Sequence, residues 1–137
     1  MSIESEKTGG PSLPLILARE LAANLATPMF LIDAEGTLVF FNEAAELMLG
    51  RRYGEVGPIS ALEFGTMLDM AYLDGTPMRR RDSPGGVAFY RHEPCHLSLL
   101  ATTLDGTRAQ FEVTAYPLFG HVGDMHGVLT LFWRTNP

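Results

Sequence analysis

The chain has 137 residues, of which 46% are hydrophobic, 19% charged and 9% aromatic; this fits one domain and excludes a multidomain enzyme or a wholly disordered chain. Sixteen acidic against ten basic residues give a net charge of -6, the wrong sign for a protein that binds by neutralising phosphates, so nucleic acid is excluded as a partner. The lone Cys95 cannot close an internal disulfide and no run approaches the roughly 20 apolar residues of a membrane span, so a soluble protein of the reducing cytoplasm is expected, with no membrane partner.

Residues 1–12 hold Gly9-Gly10-Pro11-Ser12 and no periodic pattern, and read as a flexible tail. Over residues 13–26 the composition switches to strong helix formers, with Leu17, Leu21 and Leu25 on one stripe and Ala18 and Ala22 on the next. So narrow a polar face leaves more apolar surface than one sheet edge covers. This segment is therefore read as a docking helix, with Leu17, Ala18, Leu21, Ala22 and Leu25 as a homodimer interface.

The core is expected over residues 27–134, with a short tail at 135–137. Met29 to Ile32, the turn Asp33-Ala-Glu-Gly36 and Thr37 to Phe41 read as a β-hairpin. Asn42 stands at an N-cap and Gly50 at the end of a short helix over 43–49. Ser60 and Glu63 form a capping box, with Ile59 and Phe64 as its hydrophobic staple, so a further helix begins near Ala61. Its end is open, because residues 67–73 suit either more helix or an extended piece. Ser83-Pro84 starts a brief helix through Val87, Phe89 and Tyr90, in which Gly85-Gly86 cost roughly 2 kcal/mol relative to two alanines; this element is expected to lean on tertiary contacts and to open as a lid. The last third reads as a three-stranded meander: His96 to Thr103, the turn Asp105-Gly106, Thr107 to Tyr116, a glycine-rich loop, and Val128 to Trp133. In its middle strand Ala109, Phe111, Val113 and Ala115 alternate with polar residues, which fixes one inward face.

The segment Pro28-Met-Phe-Leu-Ile-Asp-Ala-Glu-Gly-Thr-Leu-Val-Phe-Phe-Asn-Glu-Ala-Ala45 resembles the opening of a PAS domain: strand, D-x-x-G turn, strand and N-x-A-A at a helix start. Leu104-Asp-Gly-Thr107, Tyr116-Pro-Leu118 and Gly127-Val-Leu-Thr-Leu-Phe132 resemble its closing meander. The likeness spans roughly residues 14–134 and rests on the order and spacing of the motifs more than on any one of them. It implies an α+β fold, a five-stranded antiparallel sheet of order 2-1-5-4-3 with short helices on one face, a flanking N-terminal helix and a ligand-sized cavity. It also implies a non-catalytic sensory or regulatory role in signal transduction. The family's D-I-T segment is absent after Trp133, so output is expected to pass by association to a separate effector or signalling protein.

Within that frame the flavin light-sensor signature is missing, because Cys95 lies in His92-Glu-Pro-Cys-His96 and not in an N-C-R-F-L-Q-like context. Cys95 reads as a structural thiol, with a redox role as the sharper alternative if the adjoining histidines lower its pKa. His92 is the nearest match to a haem ligand of the family, while His96, His121 and His126 read as surface residues; no cofactor is the default expectation. Seven methionines and the aromatic residues suit an adaptable apolar pocket, with Tyr72, Phe89, Tyr90, Phe111 and Leu131 as its lining and a small apolar ligand such as a fatty acid as its occupant. Two rival classes stand beside ligand sensing. One is a pure interaction or dimerisation module whose core fills its own cavity. The other is a small cone-shaped isomerase or hydratase, against which stands the lack of converging acid–base pairs, since Asp33, Asp74, Asp105 and Asp124 each adjoin a glycine turn.

Overall fold

The computed structural model describes residues 12–120 and 123–135. The tail expected at residues 1–12 lies outside these apart from Ser12, as do His121 and the last two residues of the tail at 135–137.

Helix α1 spans Leu13–Ala23. Ser12 caps it by accepting the Leu15 amide, and Asn24 closes it three residues earlier than its composition suggests, because the Asn24 side chain donates to the Glu20 carbonyl at 2.9 Å. Strands β1 (Met29–Asp33) and β2 (Thr37–Phe41) form the expected hairpin. The Asp33 carboxylate accepts the amides of Glu35 and Thr37, and Gly36 supplies the left-handed residue of the turn at φ 85°. Helix α2 (Glu43–Leu49) follows under its Asn42 cap and ends at left-handed Gly50.

A one-turn helix α3 (Tyr53–Val56) and a two-residue strand β3 (Ile59–Ser60) come next. Neither was anticipated; each is shorter than any window in which hydrophobic periodicity has meaning. Helix α4 (Ala61–Leu68) starts on the Ser60 cap and stops at Asp69, which takes the left-handed conformation. The open boundary thus resolves in both senses: helix to Leu68, then an extended piece in which Ala71 bridges Leu100 and Pro77. A 3₁₀ turn at Arg80–Asp82 leads into α5 (Pro84–Arg91). A Cβ on Gly86 would stand 2.0 Å from the Arg80 carbonyl oxygen, so close packing against this turn is what the second glycine of the pair serves.

Strands β4 (Cys95–Thr102), β5 (Arg108–Phe119) and β6 (Met125–Arg134) complete an antiparallel sheet of order β3-β2-β1-β6-β5-β4. The five expected strands keep their expected order, and β3 adds a sixth at the edge of β2 through Thr37↔Ser60 and Leu38↔Ile59. Strand β5 runs three residues past its expected end, through Pro117. There the pairing with β4 has already stopped at Cys95↔Ala115, and a strand flanked on one side only tolerates proline.

Alternation divides the apolar residues between two faces. Ile32, Leu38, Phe41, Leu99, Phe111, Ala115, Val128 and Phe132 point to the inner face, where Leu49, Phe64 and Ala88 of the helices α2, α4 and α5 cover them. Met29, Leu31 and Leu129 point the other way and pack under Leu15, Ala18 and Ala22 of α1. The sheet is sandwiched over β1 and β6, and its β4–β5 side is open on the outer face.

Candidate functional site

The inner face carries a cavity of about 40 Å³, lined among others by Phe30, Leu49, Met70, Leu99, Phe111 and Phe132. Its volume decides what it admits. A drug-sized ligand needs roughly 300–1,000 Å³, whereas this space accepts a molecule of a few atoms. A fatty acid does not fit it in this conformation.

Of the five residues expected to line a pocket, Phe111 does so. Tyr72 and Phe89 are half-buried and pack against the same inner core, outside the cavity lining. Tyr90 is 47% exposed and lies under the Arg81 guanidinium at 4.8 Å from its ring centre, on the outside of α5. Leu131 faces the opposite side of the sheet, toward α1, and its neighbour Phe132 takes the place assigned to it. One residue of register moves a side chain across a sheet, and the run Val128 to Trp133, apolar but for Thr130, has no alternation from which to read that register.

His92 caps the C-terminus of α5 in the left-handed conformation, with its exposed ring 6.2 Å from that of Phe119. It stands outside the cavity, and the cavity is far too small for a porphyrin, so these residues do not fit a haem. Burial, then the neighbouring Glu93 carboxylate, pushes the Cys95 thiol pKa up, which lowers its thiolate share and its reactivity. The histidine-activated thiol is thereby corrected: His96 turns its ring to β5.

Both nitrogens of that ring are engaged. His96 Nε2 meets Glu112 Oε1 at 2.7 Å, Nδ1 meets the Thr114 hydroxyl, and Ser98 donates to the other oxygen of Glu112. These residues converge because the β4–β5 register sets His96 opposite Thr114 and Ser98 opposite Glu112. The arrangement was missed in the sequence, where the nearest partners are 14 residues apart; only the strand register could have shown it. It ties two strands together on the open outer face. Among the described residues no group of three or more His, Cys, Asp or Glu side chains could hold a metal.

The residues expected to form a dimer interface separate into two sets. Ala18 and Ala22 are 7% and 0% exposed, because they face the chain's own sheet, and this corrects their assignment to an intermolecular surface. Leu17, Leu21 and Leu25 are 59%, 52% and 40% exposed. Arg19, on the flank of α1 nearer β2, lies 4.8 Å over the Phe40 ring. At 100° per residue Leu17 and Leu21 fall on the opposite flank, beside the outer face of β6 and β5, and Leu25 follows just past the helix end. There Trp133 and Tyr116 are 40% and 44% exposed. Leucine stripe and aromatic pair together edge the uncovered part of the sheet.

No helix among the described residues is long and apolar enough to cross a membrane. Residues 17–59 match the family model for the PAS fold. No curated protein matches the chain in sequence. Among solved structures, the PAS domain of the fruit-fly ELK potassium channel superimposes with a TM-score of 0.70 at 11% identity, over 90% of this chain and 98% of that one. The PAS domain of a protein from Colwellia psychrerythraea gives a TM-score of 0.62 at 15% identity, over 88% and 96%. That of nitrogen regulation protein NR(II) from Vibrio parahaemolyticus gives 0.61 at 15%, over 90% and 99%. Strand order, the helices over the inner face and the match at residues 17–59 agree, and the chain has the PAS fold.

Proposed function

We infer that this domain is a non-catalytic signalling module of the cytoplasm that acts by self-association on the outer face of its sheet and passes its state to a separate effector protein. The observation that carries this reading is the position of Leu17 and Leu21, 59% and 52% exposed on a helix whose other face is already buried, with Leu25, 40% exposed, just past the helix end. A helix that is apolar on both sides has a second surface to cover. Trp133 and Tyr116 extend that surface over the adjoining strands, with the large, stiff side chains that dominate protein interfaces. A second copy supplies a matching apolar surface by symmetry.

The small inner cavity favours the interaction module with a filled core over a sensor for a large apolar ligand. The test is the Leu21→Asp variant followed by light scattering. It should be monomeric where the parent chain is dimeric, with its melting temperature within a few degrees of the parent's, since Leu21 takes no part in either buried core cluster. An unchanged dimer would remove α1 from the interface.

A further inference from the structure

A second concave surface lies at the pole of the sheet where β6 ends. It is a groove of about 430 Å³, within the range of small-molecule sites. One wall is apolar, made by Ala26 and Pro28 from the entry to β1 and by Leu47 and Met48 of α2. Leu47 is 82% exposed, the most exposed large apolar side chain among the described residues. The rest of the lining bears two opposite charges, Arg134 at the end of β6 and Asp105 in the β4–β5 turn.

The frame of the groove is fixed from two sides. The Leu104 amide donates to the Leu49 carbonyl at 2.9 Å, and the Asp105 side chain lies so close to Gly50 that a Cβ there would stand 2.5 Å from its Oδ2. The Asn42 side chain holds the other side by donating to the Thr27 carbonyl at 2.9 Å. Asp105 is kept ionised by its own turn: the Thr103 hydroxyl donates to Oδ1, and bonds from Thr103 first and Thr107 after it hold the carboxyl pKa below its ordinary value. Arg134 forms no ion pair with Asp105 or with any other described residue.

Opposite charges that share a groove without pairing select against singly charged ligands. A simple carboxylate gains Arg134 but meets Asp105, and a simple amine meets the reverse. A zwitterion satisfies both, and the apolar wall then receives its side chain. We propose that the polar groove is a binding site for a free α-amino acid with an apolar side chain, its carboxylate toward Arg134, its ammonium toward Asp105 and its side chain on Leu47 and Met48. The site shares no residue with the leucine stripe, so it stands or falls independently of self-association.

The experiment is an amide NMR titration of the full chain with L-leucine, alongside isocaproate, which lacks the ammonium, and isoamylamine, which lacks the carboxylate. Leucine should shift the amides of residues 44–48 and 104–107 saturably. Each comparator should bind at least about fivefold more weakly, and Arg134→Gln should weaken leucine binding about tenfold with the rest of the spectrum unchanged. No saturable shift at the groove, or isocaproate binding as tightly as leucine, would overturn the proposal. Undiminished leucine binding by Arg134→Gln would overturn it equally.

Discussion

Asn42 and Ala22 are joined by a hydrogen bond that crosses the layers of the domain: the Asn42 side-chain amide donates to the Ala22 carbonyl at 2.9 Å, at the end of α1. The same amide reaches the Thr27 carbonyl at 2.9 Å. Its Oδ1 accepts the amides of Met29 at 3.1 Å and Ala45 at 2.9 Å. One side chain, 2% exposed, thus caps α2, starts β1 and pins the helix that carries the exposed leucines. Any shift of α1 on the sheet must break bonds that also hold α2.

Asn42→Ala removes the cap and leaves buried backbone groups unpaired at three elements, so urea unfolding should show a loss of about 3 kcal/mol. Asn42→Asp keeps the acceptor but replaces the donor with a charge facing carbonyls, and should be no better. A loss below about 1 kcal/mol for both variants would mean that α1 is not held through this residue.

The two glycines of α5 should respond in opposite directions. A Cβ on Gly85 meets nothing nearer than Thr130 Oγ1 at 3.9 Å, so Gly85→Ala should stabilise by about 0.5–1 kcal/mol through helix propensity. Gly86→Ala sets its Cβ 2.0 Å from the Arg80 carbonyl oxygen and should destabilise by about 2 kcal/mol or more despite the same propensity gain. Thermal melts of the pair check this directly.

Much of this was legible in the sequence, and the illegible part has specific causes. Caps and turns announce themselves locally, which is why Asn42, Ser60, Ser83 and the Asp33–Gly36 turn stand where their residue types suggest. The sides of apolar elements do not. Val128 to Trp133, apolar but for Thr130, shows no alternation, and two apolar stripes adjoin on α1, so Leu131 reads onto the wrong face of the sheet and Ala18 and Ala22 onto the wrong side of the helix. The His96–Glu112 contact and the groove between Asp105 and Arg134 depend on which distant segments the topology brings together, and no local pattern carries that.

Thr130 is 1% exposed on the inner face of β6, and its hydroxyl has no hydrogen-bond partner among the described residues. Thr130→Val exchanges the stranded hydroxyl for a methyl of similar size and should raise stability by about 1 kcal/mol. Equilibrium unfolding measures it; a loss of stability would reveal a partner for the hydroxyl.

The Glu112 carboxyl titrates below its ordinary value, chiefly because Ser98 donates to it and further because of His96. A carboxyl whose folded pKa is depressed contributes stability above its unfolded pKa of about 4.3, and that contribution is lost as pH falls through the lower folded value. Ser98→Ala should therefore raise the Glu112 pKa seen by NMR titration and narrow the stability difference between neutral and acid pH. An unmoved pKa would assign the depression elsewhere.

Completion of the outer face of the sheet by a second copy is read from sedimentation equilibrium of the unaltered chain over a range of concentrations. The limiting mass should be twice the 15.0 kDa of the monomer, with dissociation on dilution. A mass that stays at 15.0 kDa up to the highest concentration would contradict it.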